Sequence, residues 1–395
     1  MSDSPPPTPL PTPDAVRSML AGVMDPELHV SIVELGMVDE IRIEPDGVVA
    51  VQVALTTAGC PLRHQISTEV KHKVSGLPGV TAVSVGYGEM TAEQKARAMD
   101  RARFQAREHA APTEVSATTR VIAVASGKGG VGKSSVTVNL AAALAARGLS
   151  VGVLDADIWG FSVPRLLGVD GRLGGADGKI HPNEVAVVGT DGAPAGTVKV
   201  VSMGFLVDDE STALMWRGLI LTKAVEQFLT DVRWGDLDYL LVDMPPGTGD
   251  VQMGLARLLP QAEMLVVTTP ARNAQKVATR VADMARRSFM KVIGVVENMS
   301  EFVTPSGERF AIFGEGGGAA LADEIDVPLV ARIPIESAVS VGGDDGRPAV
   351  LADPTGAAAT AFRDLADRVV TDLLPPLELG GCTARILAAA EAALG

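Results

Sequence analysis

Cysteine is scarce in this chain: Cys60 and Cys382 are the only two among 395 residues. Two thiols are too few for a disulfide framework. Aromatic side chains make up only 4% of the residues against 47% apolar residues in all, so a large core must be built mainly from Val, Leu, Ala and Ile. Positive charge is also short. Lys and Arg total 34 against 48 Asp and Glu, and the resulting net charge of −14 argues against nonspecific binding to nucleic acid or to an anionic membrane. No apolar run approaches the roughly 18 residues that a spanning helix needs. The opening residues carry prolines where a secretion signal would place a basic and then an apolar stretch. The expectation is an acidic cytoplasmic protein, with neither nucleic acid nor membrane as partner, folded as two or three domains.

Residues 1–13 contain six prolines and read as a disordered or polyproline tail. Residues 14–90 predict a small α/β domain. It has a helix over Ala15–Met24, strands at Val38–Ile43 and Val48–Leu55 joined by the turn Pro45-Asp46-Gly47, a helix over Leu62–Ser75 and a strand at Val80–Val85. Thr91 and Gln94 have the spacing of a capping box and start a charged helix, so residues 91–117 read as a helical linker. Over residues 118–374, apolar strand-like runs alternate with helix-like segments. Strands are expected at 121–125, 151–154, 198–202, 239–242, 264–268, 292–297 and 329–333, the pattern of a doubly wound, mostly parallel sheet. Residues 375–395 form a C-terminal tail with a helix-like stretch, Thr383–Leu394.

What is abundant is glycine at one place. Gly127-Lys128-Gly129-Gly130-Val131-Gly132-Lys133-Ser134-Ser135 contains the frame G-x-x-x-x-G-K-S on Gly127, Gly132, Lys133 and Ser134. In such a loop backbone N–H groups surround a phosphate, Lys133 neutralises charge and Ser134 ligates Mg²⁺. The strand-like Arg120–Ala125 precedes it and a helix over Ser134–Arg147 follows, with its N-terminal dipole toward the phosphates. Lys128 adds a second cation directly after the first glycine. With it the loop resembles the deviant P-loop ATPases, the group of MinD, ParA and nitrogenase iron protein. The resemblance implies that Lys128 reaches across a homodimer to the partner's nucleotide; a solvated loop lysine is the plainer alternative.

Three further sites fall at strand ends. Asp155-Ala156-Asp157 offers two carboxylates to a magnesium–ATP site, which needs one near the metal and one to orient the attacking water. By resemblance Asp155 lies near Mg²⁺ and Asp157 positions or activates the water. Tyr239–Val242 is an apolar strand ending in Asp243, which suits a carboxylate holding a water on Mg²⁺. Gly247, in the turn Pro245-Pro246-Gly247-Thr248-Gly249, would let a backbone N–H meet the γ-phosphate. Asn298 offers a donor and an acceptor that fit the edge of adenine, the place of the group's adenine-reading asparagine.

The stretches Asp157–Pro164, Met215-Trp216-Arg217-Gly218 and Asp243–Asp250 resemble the Mrp/ApbC family of iron–sulfur cluster carrier ATPases. The first domain resembles iron–sulfur assembly factors through Asp25-Pro26-Glu27, Glu34–Val38 and Thr56–Pro61. The resemblance implies a dimeric ATPase that assembles clusters or transfers them to apo-proteins, with ATP and Mg²⁺ as its ligands. One departure stands out. Where many members carry a Cys-x-x-Cys pair, this chain has Thr304 and Ser306, and hydroxyls are poor ligands for the soft iron of a cluster. Cys60, in a Gly-Cys-Pro turn before a helix, is the remaining candidate ligand, or else a small buried hydrophobe. Cys382 is a second candidate, and two copies of each would supply four thiolates. A MinD/ParA-type regulatory ATPase and a metal-free client adaptor are the alternatives.

Overall fold

The computed structural model describes residues 9–26, 30–55, 63–108, 110–158, 160–189, 192–206, 218–288, 290–304, 306 and 308–377. The turn holding Cys60, the stretch Met215–Arg217 and the segment with Cys382 lie outside the described residues. The chain divides into two units, Met1–His109 and Ala110–Gly395.

In the first unit, the helix Pro13–Leu20 starts where Thr12 caps it through its hydroxyl, 3.2 Å from the Ala15 N–H. The strands β1 (Val38–Ile43), β2 (Val48–Leu55) and β3 (Ala82–Glu89) form a sheet in that order, with β1 antiparallel and β3 parallel to β2. Gly47, at φ +83°, closes the hairpin between β1 and β2. Alternate residues of β2, Val49, Val51 and Val53, are buried, as are Ile66, Val70 and Val74 of the helix Arg63–Ser75. The helix Ala92–Glu108 opens with the expected capping box: the Thr91 N–H donates to Gln94 Oε1 (2.8 Å) and the Gln94 N–H to Thr91 Oγ1 (3.2 Å). This helix is not a free connector. Arg101 donates to the Glu34 carbonyl at 2.9 Å and Gln94 to Asp39 at 3.2 Å, so it is part of the first unit, which runs to His109.

The second unit carries β4 (Arg120–Ser126), β5 (Ser150–Asp155), the small hairpin β6 (Gly174–Ala176) and β7 (Lys179–His181), β8 (Asn183–Val188), β9 (Pro194–Ser202), β10 (Tyr239–Asp243), β11 (Glu263–Thr268), β12 (Lys291–Val303), β13 (Arg309–Phe310) and β14 (Leu329–Ile335). One sheet runs β13-β12-β11-β4-β10-β5-β9-β8, with β14 also on β12. Its pairings are parallel except at the two ends, β13 on β12 and β8 on β9. Both faces are covered, which is why β10 is buried throughout and carries no charge before Asp243. The alternation within β4 shows it: Val121, Ala123 and Ala125 join a core with Val225, Phe228, Leu255 and Val281, whereas Ile122 and Val124 face Leu140, Leu144, Phe362 and Leu365.

The helix Lys133–Ala145 lies in the second of these cores, with eleven of its thirteen residues buried. Alanines let it approach closely, and a Cβ on Gly196 of β9 would come within 2.5 Å of the Ala145 carbonyl oxygen. Among the described residues no helix is long and apolar enough to cross a membrane. The carboxyl ends of β4, β5 and β10 lead into the loops at Gly127, Asp157 and Pro245, the edge of an open α/β sheet where ligands bind, and Asn298 lies within β12 itself.

Candidate functional site

The glycine loop is shaped by its glycines in two different ways. A Cβ on Gly127 would lie 2.4 Å from the backbone of Val277 and Ala278, so close packing against the helix Arg272–Arg287 forbids any side chain. Gly130 and Gly132 have φ of +79° and +78°, which other residues reach only under strain. Around Gly129 and Gly130 nothing lies within 4 Å of a Cβ position, so these two border open space. That space is a cavity of about 370 Å³ whose lining includes Gly129, Gly130, Lys133, Ser134, Asp157 and Pro246. Gly132 caps the helix Lys133–Ala145 without a side-chain bond, which leaves first-turn N–H groups for a ligand.

Charge is concentrated at the floor. Lys133 Nζ is 2.7 Å from Asp243 Oδ1 and 3.9 Å from Asp157 Oδ2. The Ser134 hydroxyl donates to Asp243 Oδ2 at 2.6 Å and the Thr137 hydroxyl to Asp243 Oδ1 at 2.9 Å. Asp155 sits beside Asp243 in the parallel register of β5 and β10. It accepts from the Ser202 hydroxyl at 3.0 Å and from the Asp157 N–H at 3.2 Å. Burial, and then the negative charge of Asp243, push the Asp155 carboxyl up to about 7, while Lys133 and the two hydrogen bonds pull the other way. An open cradle, a cation and an all-oxygen donor set of Ser134, Asp155 and Asp243 fit a phosphate chain with Mg²⁺.

Lys133, Ser134, Asp155, Asp157 and Asp243 therefore come together in one place. Lys128 stands apart: it is exposed, and its carbonyl is anchored by the Ser126 hydroxyl at 3.1 Å. Gly247, at φ +93°, donates its N–H to the Ser126 carbonyl at 3.0 Å. Asn298 is buried against the loop and donates its side-chain amide to the Val131 carbonyl at 2.9 Å. The sequence reading missed Thr137, Ser202 and Gln252. The only local sign of Thr137 is a hydroxyl one helical turn after Lys133, and the sign of Gln252 is its place three residues after Gly249.

The hairpin of β12 and β13 holds Thr304 and Ser306, whose hydroxyls are hydrogen-bonded to each other at 2.8 Å, while Thr304 Oγ1 also accepts from the Glu308 N–H at 3.1 Å. These residues close a turn and offer no thiolate. Among the described residues no group of three His, Cys, Asp or Glu side chains is arranged to hold a metal ion.

Residues 117–370 match the ParA family, described as NUBPL iron-transfer P-loop NTPase, and residues 13–85 match the iron-sulfur cluster assembly protein family. The iron-sulfur cluster carrier protein of Mycobacterium tuberculosis is 45% identical over 364 residues, covering 90% of this chain and 93% of its own. The protein of the same description from Synechocystis is 40% identical over 369 residues, covering 91% of this chain and 97% of its own. A nucleotide-binding protein from Archaeoglobus fulgidus, solved in complex with ADP, is 35% identical; the match covers 62% of this chain and 91% of that one, with a TM-score of 0.49.

Proposed function

Because the chain belongs to the family of NUBPL iron-transfer P-loop NTPases, we propose that it hydrolyses ATP as a cytoplasmic homodimer and assembles iron–sulfur clusters or passes them to apo-proteins. The observation that carries this reading is the gathering of Lys133, Ser134 and Asp243 beneath the glycine cradle, in a chain whose first unit matches cluster assembly proteins.

The roles follow from the chemistry of the residues. Backbone N–H groups from Gly129 to Ser134 hold the phosphates, and Lys133 leaves Asp243 to join them. Ser134 and Asp243, with Asp155 behind, would hold Mg²⁺, which would supply charge neutralisation for the phosphates. Asp157 orients the attacking water and accepts its proton. Lys128, exposed on its loop, reaches the nucleotide of the partner protomer. Gly247 gives its N–H to the γ-phosphate in place of Ser126, and Asn298, while bracing Val131, presents its amide oxygen to adenine.

The cluster is cargo, and Thr304 and Ser306 do not fit it. We assign its holding to Cys60, with Cys382 as a second ligand, or to the client itself. Anaerobic reconstitution with iron and sulfide, followed by transfer to an apo-ferredoxin, tests the proposal. Cluster absorbance that is lost in Cys60→Ser and kept in Thr304→Ala/Ser306→Ala supports it. Intact ATP hydrolysis with neither absorbance nor transfer would instead favour the metal-free adaptor, a reading that the thiol-free hairpin supports.

A further inference from the structure

Gln252 is the third residue of the helix Asp250–Leu258 and is 1% exposed. Its Oε1 accepts the Gly249 N–H. That bond is ordinary capping of a helix start, in which a Gln at this position reaches back to the cap residue. The other end of the side chain goes further than a cap requires. Nε2 donates to the Pro245 carbonyl at 2.7 Å and to the Gly247 carbonyl at 2.8 Å. A primary amide has two N–H donors and a carbonyl acceptor, so one buried side chain spans the whole turn that follows Asp243. On its other side the same turn is tied to the body of the domain through the Gly247 N–H on the Ser126 carbonyl, 3.0 Å. Gly247 has no atom within 4 Å of a Cβ position. The turn therefore has open space at Gly247, while from within it is fastened to the helix.

We infer that Gln252 is a positioning residue that locks the turn Pro245–Gly249 to the helix Asp250–Leu258, so that the two move as one body when the Gly247 N–H leaves Ser126. The nucleotide state then reaches the helix surface, where Met253 is 45% exposed. The inference rests on the ATP-binding reading above. Without the Gln252 donors, the turn could answer the γ-phosphate alone and the helix would stay where it is. Glu at this position keeps the shape but, when ionised, has no proton to give to either carbonyl. Met keeps the length and gives up all three bonds.

Amide hydrogen exchange of the full chain, with magnesium and a non-hydrolysable ATP analogue or with ADP, reads this coupling directly. In the wild type the triphosphate should change exchange in the turn and along residues 250–258 together. In Gln252→Glu and Gln252→Met the change should stop at Gly249, with nucleotide affinity kept within about threefold and kcat down about ten- to a hundredfold, the scale of losing the hydrogen bonds that make turn and helix move together. Wild-type exchange that changes in the turn and not in the helix overturns the inference whether or not either variant folds. So do folded variants that keep both kcat and the helix response. No calorimetric binding of the analogue by the wild type would overturn the ATP-binding reading itself, and this inference with it.

Discussion

Lys133 and Asp243 form an ion pair 2.7 Å long whose side chains are 7% and 0% exposed. The pair balances the floor of the cavity before a phosphate arrives, so removing one partner strands the other. Lys133→Ala should weaken nucleotide binding at least a hundredfold by calorimetry, and lower stability by about 3–5 kcal/mol through the buried carboxylate left behind. Adding Asp243→Asn to Lys133→Met should recover most of the stability and none of the binding. Wild-type affinity in Lys133→Ala would remove this lysine from the phosphate site.

Asp155 makes the free protein sensitive to pH. Its carboxyl, ordinarily near 3.8, is pushed up to about 7 first by burial and then by Asp243. Between those values the folded chain keeps a proton that the unfolded chain gives up. Stability therefore falls as pH rises from about 4 to about 7 and levels off above, by on the order of a few kcal/mol. Asp155→Asn should flatten that part of the curve, and differential melting across a pH series compares the two. Parallel curves would show that Asp155 is not the group responsible. Mg²⁺ needs the ionised carboxylate, so wild-type affinity for MgATP should climb over the same window.

Lys128 is exposed and so is available to a neighbouring molecule. Lys128→Ala should bind ATP normally and lose at least about a hundredfold in turnover, the scale of a cation supplied to the transition state. Mixing decides whether the lysine acts in trans. Lys133→Ala subunits bind no nucleotide yet carry Lys128, so adding them to Lys128→Ala subunits should restore turnover at the intact sites. A mixture as inactive as its parts would disprove the crossing.

The glycines of the loop should separate folding from binding. Gly129→Ala has open space and no positive φ, so its melting temperature should hold while nucleotide affinity falls about tenfold or more as the methyl intrudes on the cradle. Gly127→Ala meets the backbone of Val277 and Ala278 at 2.4 Å and should lose stability by about 1–3 kcal/mol before binding is even measured. Equal losses of stability in the two would contradict this division.

Much of the architecture could be read from the chain because strands buried on both faces leave unbroken apolar runs, as in Tyr239–Val242. The same signal fails where burial is one-sided. β8, an antiparallel edge with exposed Glu184 and Val188, is absent from the strands expected from the sequence. β12 extends well beyond 292–297, through Met299 at φ +55° into its hairpin with β13, and the apolar signal stops short of this because the continuation Ser300-Glu301 is polar. The start of the helix at Ala92 was legible in the local pair Thr91 and Gln94. Its attachment was not, since Arg101 meets Glu34 across 67 residues of chain. The site divides in the same way. Contiguous motifs announced Lys133, Ser134 and Asp243, whereas Thr137 and Ser202 take their roles from carboxylates 106 and 47 residues away.

The helix that begins at Lys133 has consequences for how such a site can change over time. Alanines seal it in, and Gly196 presses its backbone against the last turn. One added methylene on that face would wedge the sheet open. The phosphate floor is thus a fixed anvil, and any retuning of speed or trigger has to be written into the turns that strike it.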